Sequence, residues 1–192
     1  MAAVMVRGRY KIVRVVEAGN DYAFAEAVDI TERETPVRLL NIYEGAWLPI
    51  YARIFSDIRD CPAFCEAFLA EESLAAVFRP CSGVPIDRVF YRGADWPWRD
   101  RLEFTEQLLH QALAMANLPP AVSCAGLLAD NVRVDVDEKR ISLRFRIRPM
   151  EDMNARELAL LASDHARKIL APRFRQGDAE YAFCRRLERG EA

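Results

Sequence analysis

The chain has little of what would tie it to nucleic acid, to a membrane or to a metal. Its 27 basic and 29 acidic residues nearly cancel, leaving a net charge of -2 over 192 residues. Without a positive excess there is no field to hold a phosphate backbone, so a nucleic-acid partner is not expected. No apolar run approaches the roughly 20 residues that a bilayer-spanning helix needs, so direct membrane insertion is not expected either. The opening MAAVMVRGRYKIVRVV has no long apolar stretch closed by a small-residue cleavage site, which points to a cytoplasmic chain. Five cysteines, Cys61, Cys65, Cys81, Cys124 and Cys184, make an odd and scattered set, expected to stay reduced rather than form a disulfide framework. A zinc site takes about four nitrogen or sulfur ligands at set spacing. Here only Cys61 and Cys65 are close, and the two histidines, His110 and His165, fall far along the chain. No metal and no cofactor is expected. There is no internal repeat and no low-complexity tract.

What is present is a core and a clear order of elements. The chain is 52% hydrophobic and 29% charged, enough to bury an interior and stay soluble. RYKIVRVVEAG (Arg9 to Gly19) and DYAFAEAVDI (Asp21 to Ile30) read as strands paired across a Gly-Asn turn, and TPVRLLNIYEG as a third strand. Ala46 to Asp60 places Ile50, Ile54 and Ile58 at helical spacing, which predicts a helix beginning near Pro49. AFCEAFLAEES and SLAAVFRPCSG predict two further strands, joined at Glu71, Glu72 and Ser73. A link at Pro80 to Pro85 then divides a β-rich lobe, residues 1–82, from a helical one, residues 83–192.

In the second lobe PIDRVFY predicts a short helix. Trp98 to Pro119 predicts a long one, with Leu102, Leu108, Leu109, Leu113 and Met115 on its apolar stripe and a stop at the double proline. Leu127 to Asp135 and Lys139 to Arg146 read as a small hairpin. Asn154 caps a helix running to Leu170, and a basic-ended helix closes the chain.

This order resembles that of a protein kinase. GRYKIVRVVEAGNDYAFAEAVDI is similar to the first two kinase strands and the glycine-rich turn between them. TPVRLLNIY resembles the third strand, SLAAVFRPCSGVPIDRVF the hinge, LLADNVRVD the end of the catalytic loop, and RISLRFRI the strand that runs into the metal-binding acid. The resemblance covers Gly8 to Pro149. It implies an α+β, two-lobe architecture with a five-stranded antiparallel N-lobe carrying one helix. The C-lobe it implies is shortened: no A-P-E segment follows, and two helices remain after Pro149.

The same resemblance shows which chemistry would be missing. Phosphoryl transfer is mostly positioning and charge stabilisation, so the charged residues matter. The glycine-rich turn keeps Gly19, with Asn20, Asp21 and Ala23 around it, and reads equally as a plain hairpin turn. The lysine position of the third strand falls on Leu40, with Asn41 beside it and Arg38 on the same face as Leu40. The following helix has no glutamate; Asp57 is its nearest analogue. The base position of the catalytic loop is Gly126, and Cys124 stands where its histidine would be. Asn131 matches the metal-binding asparagine, although an Asp-Asn pair also makes an ordinary turn. No acid occurs within Leu143 to Ile147; Phe145 lies there between Arg144 and Arg146.

Three functions remain open. The first is a catalytically inactive, degenerate kinase-like domain of bacterial signalling or secretion that binds a protein partner or itself. Trp47, Trp96 and Trp98 are its candidate contact surface. The second is a nucleotide sensor without turnover, gripping phosphate through Asn131, Arg144 and Arg146; nucleotide binding is expected to be weak or absent, because Leu40 and Phe145 suggest a cleft filled by side chains. The third is a small enzyme of another class using Cys124, His110 and Asp130, for which no nucleophile–base spacing speaks.

Overall fold

The computed structural model describes residues 4–91, 94–149, 154–170 and 178–191. The chain divides into two compact units, Met1–Pro80 with Phe145–Glu151, and Cys81–Arg144 with Asp152–Ala192. The division after Pro80 lies two residues before the expected one. The larger correction is that the segment starting at Phe145, expected in the second lobe, belongs to the first unit.

The first unit is one six-stranded antiparallel sheet and a helix. Its strands are β1 (Met5–Val6), β2 (Tyr10–Ala18), β3 (Tyr22–Asp29), β4 (Val37–Tyr43), β5 (Phe64–Ala70) and β6 (Ser73–Phe78), ordered β1-β2-β3-β4-β6-β5. The five expected strands are all present, and β1 is an addition. It turns into β2 through Arg7 and Gly8, at φ 53° and 62°, the paired left-handed residues of a tight hairpin.

The sheet curls strongly. Tyr10 of β2 and Phe68 of β5 stack with centroids 5.9 Å apart although β3, β4 and β6 lie between those strands in the sheet. Ala25, Ala27 and Ala75 line the same face, keeping it thin enough to bend, with Leu40 and Val77 filling the rest. At the rim Arg9 donates to the buried Asp29 carboxylate and, at 2.7 Å, to Glu66, which also accepts from the Tyr10 hydroxyl.

Helix α1 (Trp47–Ser56) packs on the opposite face, and its stripe is not the expected one. Tyr51 and Phe55 are buried, whereas Ile50 is 48% exposed. Aromatic rings win because they have a surface to stack on: Tyr51 lies flat on Tyr43 of β4, centroids 4.2 Å apart, and Phe55 meets Phe64 and Phe78. Ile58 is buried as expected, but beyond the end of the helix.

The second unit contains β7 (Val84–Pro85), α2 (Ile86–Val89), α3 (Trp98–Ala114), α4 (Pro120–Gly126), β8 (Val132–Asp135), β9 (Arg140–Leu143), α5 (Ala155–Leu170) and α6 (Asp178–Arg189). Strands β7, β8 and β9 form a small antiparallel sheet. Gly83 precedes it at φ 96°, where a Cβ would lie 2.5 Å from the Val134 carbonyl oxygen, so only glycine fits.

The stripe of α3 also differs from expectation. Its buried face is Arg101, Phe104, Thr105, Leu108 and Ala112, while Leu102 and Leu109 are exposed and Leu113 is 72% exposed. Arg101 takes an interior position because three backbone carbonyls, of Ala94, Trp96 and Ile169, accept its guanidinium protons. The double proline does not end α3; it opens the unanticipated α4, with Pro120 in the first turn, where a missing N–H costs nothing. Asn154 caps α5 as its position predicts: its Oδ1 accepts from the Arg156 N–H at 3.0 Å. Cys61, Cys65, Cys81 and Cys124 are free thiols, and the side chain of Cys184 lies outside the described residues.

Candidate functional site

Strand β4 carries the first candidate position, and its alternation corrects the alignment by one residue. Leu40 lies in the curled-face cluster with Tyr10 and Phe68. Asn41 and Tyr43 point the other way, toward α1, as the stacking of Tyr43 on Tyr51 shows. A lysine that pairs with a helix glutamate must stand on the helix-bearing face. The residue at that place is therefore Asn41, and Leu40 is a core leucine.

Asn41 is fully buried and committed to backbone. Its Nδ2 donates to the Phe145 carbonyl at 2.9 Å, and its Oδ1 accepts from the Ile147 N–H at 2.8 Å. One side-chain amide thus imitates a neighbouring strand for two alternate residues of an extended segment. Tyr43 and Tyr51 extend the grip, their hydroxyls donating to the carbonyls of Ile147 at 2.7 Å and Arg148 at 3.1 Å. The Phe145 ring, placed by sequence near the metal-binding acid, stacks on Phe78 with centroids 5.5 Å apart.

The end of β2 closes this clasp. Arg148 forks onto Glu17, its Nε 2.6 Å from Oε1 and its Nη2 2.8 Å from Oε2. Arg146 approaches the same carboxylate at 3.9 Å, and the Tyr22 hydroxyl donates to it at 3.0 Å. The Arg148 hydrogen bonds hold the Glu17 carboxyl below its usual range, against the opposing pull of burial. Gly19 follows two residues later. Its φ is ordinary; glycine is needed because a Cβ would fall 2.2 Å from the Tyr22 ring, the ring whose hydroxyl reaches Glu17.

In the second unit, LLADNVRVD folds as a turn into β8. Gly126, at the expected base position, is the last residue of α4. Asn131 is 2% exposed. Its Nδ2 donates to the Ala125 carbonyl at 2.8 Å, its N–H to Leu128, and its carbonyl accepts from the Arg144 N–H. Cys124 is buried, and burial pushes its thiol up, away from the thiolate a nucleophile needs. His110 is exposed on α3 and no hydrogen bond joins it to Cys124 among the described residues. Of the three phosphate-gripping candidates, Asn131 and Arg144 belong to the second unit, and Arg146 to the first, where it faces Glu17.

The tryptophans are divided between the two units. Trp47 packs edge-on against Tyr51 in the first unit. In the second, Trp96 lies against Phe90 and Phe104, and Trp98 against Ala166, Leu170 and Leu187.

Asn131 is turned inward onto Ala125, Leu143 to Ile147 holds no carboxylate, and Asn41 is an amide bound to backbone. Among the described residues no three His, Cys, Asp or Glu side chains gather as metal ligands, and no helix is long and apolar enough to cross a membrane.

No known protein-family model and no curated protein matches the sequence. Solved structures do match. A crystal structure of the PknI kinase domain of Mycobacterium tuberculosis aligns with a TM-score of 0.57 at 16% identity, over 100% of this chain and 91% of that one. A singly substituted form aligns at TM-score 0.63 and 16% identity, over 100% and 90%. A doubly substituted form aligns at 0.64 and 14%, over 100% and 91%. At such identity the likeness speaks for the fold alone. With the strand order, the single helix on the sheet and the following helical unit, it establishes that this chain has a protein kinase-like, α+β fold.

Proposed function

We propose that this is a kinase-like domain without phosphoryl-transfer activity, serving bacterial signalling or secretion as a module that binds a protein partner or a second copy of itself. The carrying observation is the bidentate use of Asn41. On the helix-bearing face, where a kinase keeps its phosphate-holding lysine, this chain spends a buried amide on the backbone of Phe145 and Ile147. Three further features support the reading. Helix α1 offers no glutamate to a lysine, Gly126 offers no base, and Leu143 to Ile147 offers no acid. Each of those groups supplies a charge-stabilising contribution of several kcal/mol in an active enzyme.

Thermal melts and a phosphoryl-transfer assay test this together. Melting curves with and without millimolar Mg-ATP are expected to superimpose, and no labelled phosphate should pass to protein substrates or to water. Stabilisation by several degrees without transfer would favour the nucleotide-sensor reading, since a ligand that binds the native state raises its melting point. Transfer above a no-protein blank would overturn the proposal outright.

A further inference from the structure

His165 occupies an unusual position for an ionisable side chain. It lies in the middle of α5 and is 2% exposed. Its Nε2 is 2.6 Å from the carbonyl oxygen of Leu127, the residue that caps α4 and opens the LLADNVRVD turn. Its Nδ1 is buried and has no hydrogen-bond partner among the described residues. A carbonyl only accepts, so Nε2 carries the proton and Nδ1 holds a bare lone pair. In that tautomer the imidazole is neutral, and its one unmet group is an acceptor lone pair rather than a donor.

Protonation changes both terms. It places a second N–H at Nδ1 with nothing to receive it, and it puts a charge inside an apolar interior. The charged groups acting on the ring are Lys168 and Asp164 of its own helix and Asp87 of α2. Lys168 bridges both acids, at 2.8 Å to Asp87 and 3.7 Å to Asp164, and Arg167 pairs with Asp164 at 2.8 Å, so two cations balance the two carboxylates and little negative charge is left for an imidazolium. From α3 the interior contribution is Arg101, bound to the Ile169 carbonyl one turn along α5. Helix α4 carries no carboxylate or basic side chain, and α6 meets α5 through Leu187. Burial lowers the affinity of this imidazole for a proton, in agreement with the geometry.

We propose that His165 is a pH latch: neutral, it pins the turn beginning at Leu127 to helix α5, and on acidification its protonation releases that turn. The consequences run through the hydrogen bonds that follow. The turn is closed by Asn131, whose side chain holds Ala125 and whose carbonyl holds the Arg144 N–H at the end of β9. Loss of the Leu127 anchor therefore loosens Leu127–Asn131 and the exit of β9, and leaves the α3–α5 packing in place. The device goes beyond the binding role proposed above and does not depend on it.

The sign follows from linkage. The opened state binds a proton near the ordinary histidine value of about 6.5, and the closed state resists it, so opening grows as pH falls, by roughly tenfold per unit below about 6.5. Two histidines make the test direct. In imidazole-labelled protein, substitution of His110, exposed on α3, assigns the His165 signal. From pH 7.5 to 5.0 the His165 resonance should stay that of the Nε2–H tautomer until the turn opens. Amide exchange, corrected for intrinsic pH dependence, should accelerate at Asn131, Val132 and Arg144 by roughly tenfold per pH unit below about 6.5, while α3 amides stay protected. In His165→Gln, whose Nε2–H can still reach Leu127 without titrating, that acceleration should vanish. If Gln does not fold, the wild-type titration decides alone. A His165 resonance that becomes imidazolium in the closed state, or exchange that rises uniformly across α3 and the turn, would overturn the latch.

Discussion

Two buried asparagines, Asn41 of the first unit and Asn131 of the second, differ in how far they reach. Asn131 donates to Ala125, six residues back, and serves a turn that its own neighbourhood makes. Asn41 reaches Phe145 and Ile147, more than a hundred residues on, and holds together parts of the first unit that only the finished fold brings near. Both are buried amides bound to backbone, yet one supports local structure and the other long-range closure. The lesson is that a buried side-chain amide is not idle: it takes the backbone nearest to hand.

Removing these side chains separates the two roles. Asn41→Ala leaves two buried backbone groups, the Phe145 carbonyl and the Ile147 N–H, without partners. At about 1–3 kcal/mol for each, the loss should be about 3 kcal/mol in chemical denaturation, with the segment after Phe145 the first to gain protease sensitivity. If Asn41→Ala costs no more than a surface substitution, the clasp is not held by this amide. Asn131→Ala should cost less, about 2 kcal/mol, and its exchange effect should stay within the turn and β9. An equal cost at both sites, with equal spread, would erase the distinction between local and long-range roles.

The smallest effect is expected from the ion pair that closes the clasp. Glu17→Gln removes the charge of a carboxylate whose partner, Arg148, is 40% exposed, so the loss should be below about 1 kcal/mol and shrink in salt. The pH dependence has a definite sign. The folded carboxyl is held below its usual range, so its contribution is present above the ordinary glutamate value of about 4.3 and disappears as pH falls through the lower, folded value. Wild type and Glu17→Gln should therefore converge in stability toward acid pH. Divergence there would mean that the pair does not hold in solution.

Much of the fold was legible because it is written in short-range pattern. The strand alternations, the Gly19 turn, the Asn154 cap and the β8–β9 hairpin each depend on a few adjacent residues, and each occurs where the pattern puts it. Three things were not legible. The stripes of α1 and α3 were read from aliphatic side chains, whereas Tyr51, Phe55 and even Arg101 face inward, because aromatic surfaces and free carbonyls wait for them there. The double proline was read as a stop and is a start. The resemblance puts the lysine position on Leu40, which faces the apolar cluster, while Asn41 faces Phe145 and Ile147; a shift of one in a strand exchanges its faces. A signal for Asn41 was available: an amide inside the otherwise apolar run LLNIY asks for a buried partner. What it could not say was which partner.

The division has a physical reason. The order of elements and the turns that join them follow from the residues themselves, since each is a property of identity or of neighbours a few positions apart. Which face of β4 meets α1, that Phe145–Arg148 lies with the β-sheet unit, and that His165 ends with one nitrogen bonded and one bare were settled only by the tertiary structure. Burial and hydrogen-bond satisfaction are decided by groups far apart in sequence, and one residue of register, or one ring that stacks, is enough to choose between alternatives that the sequence pattern leaves equal.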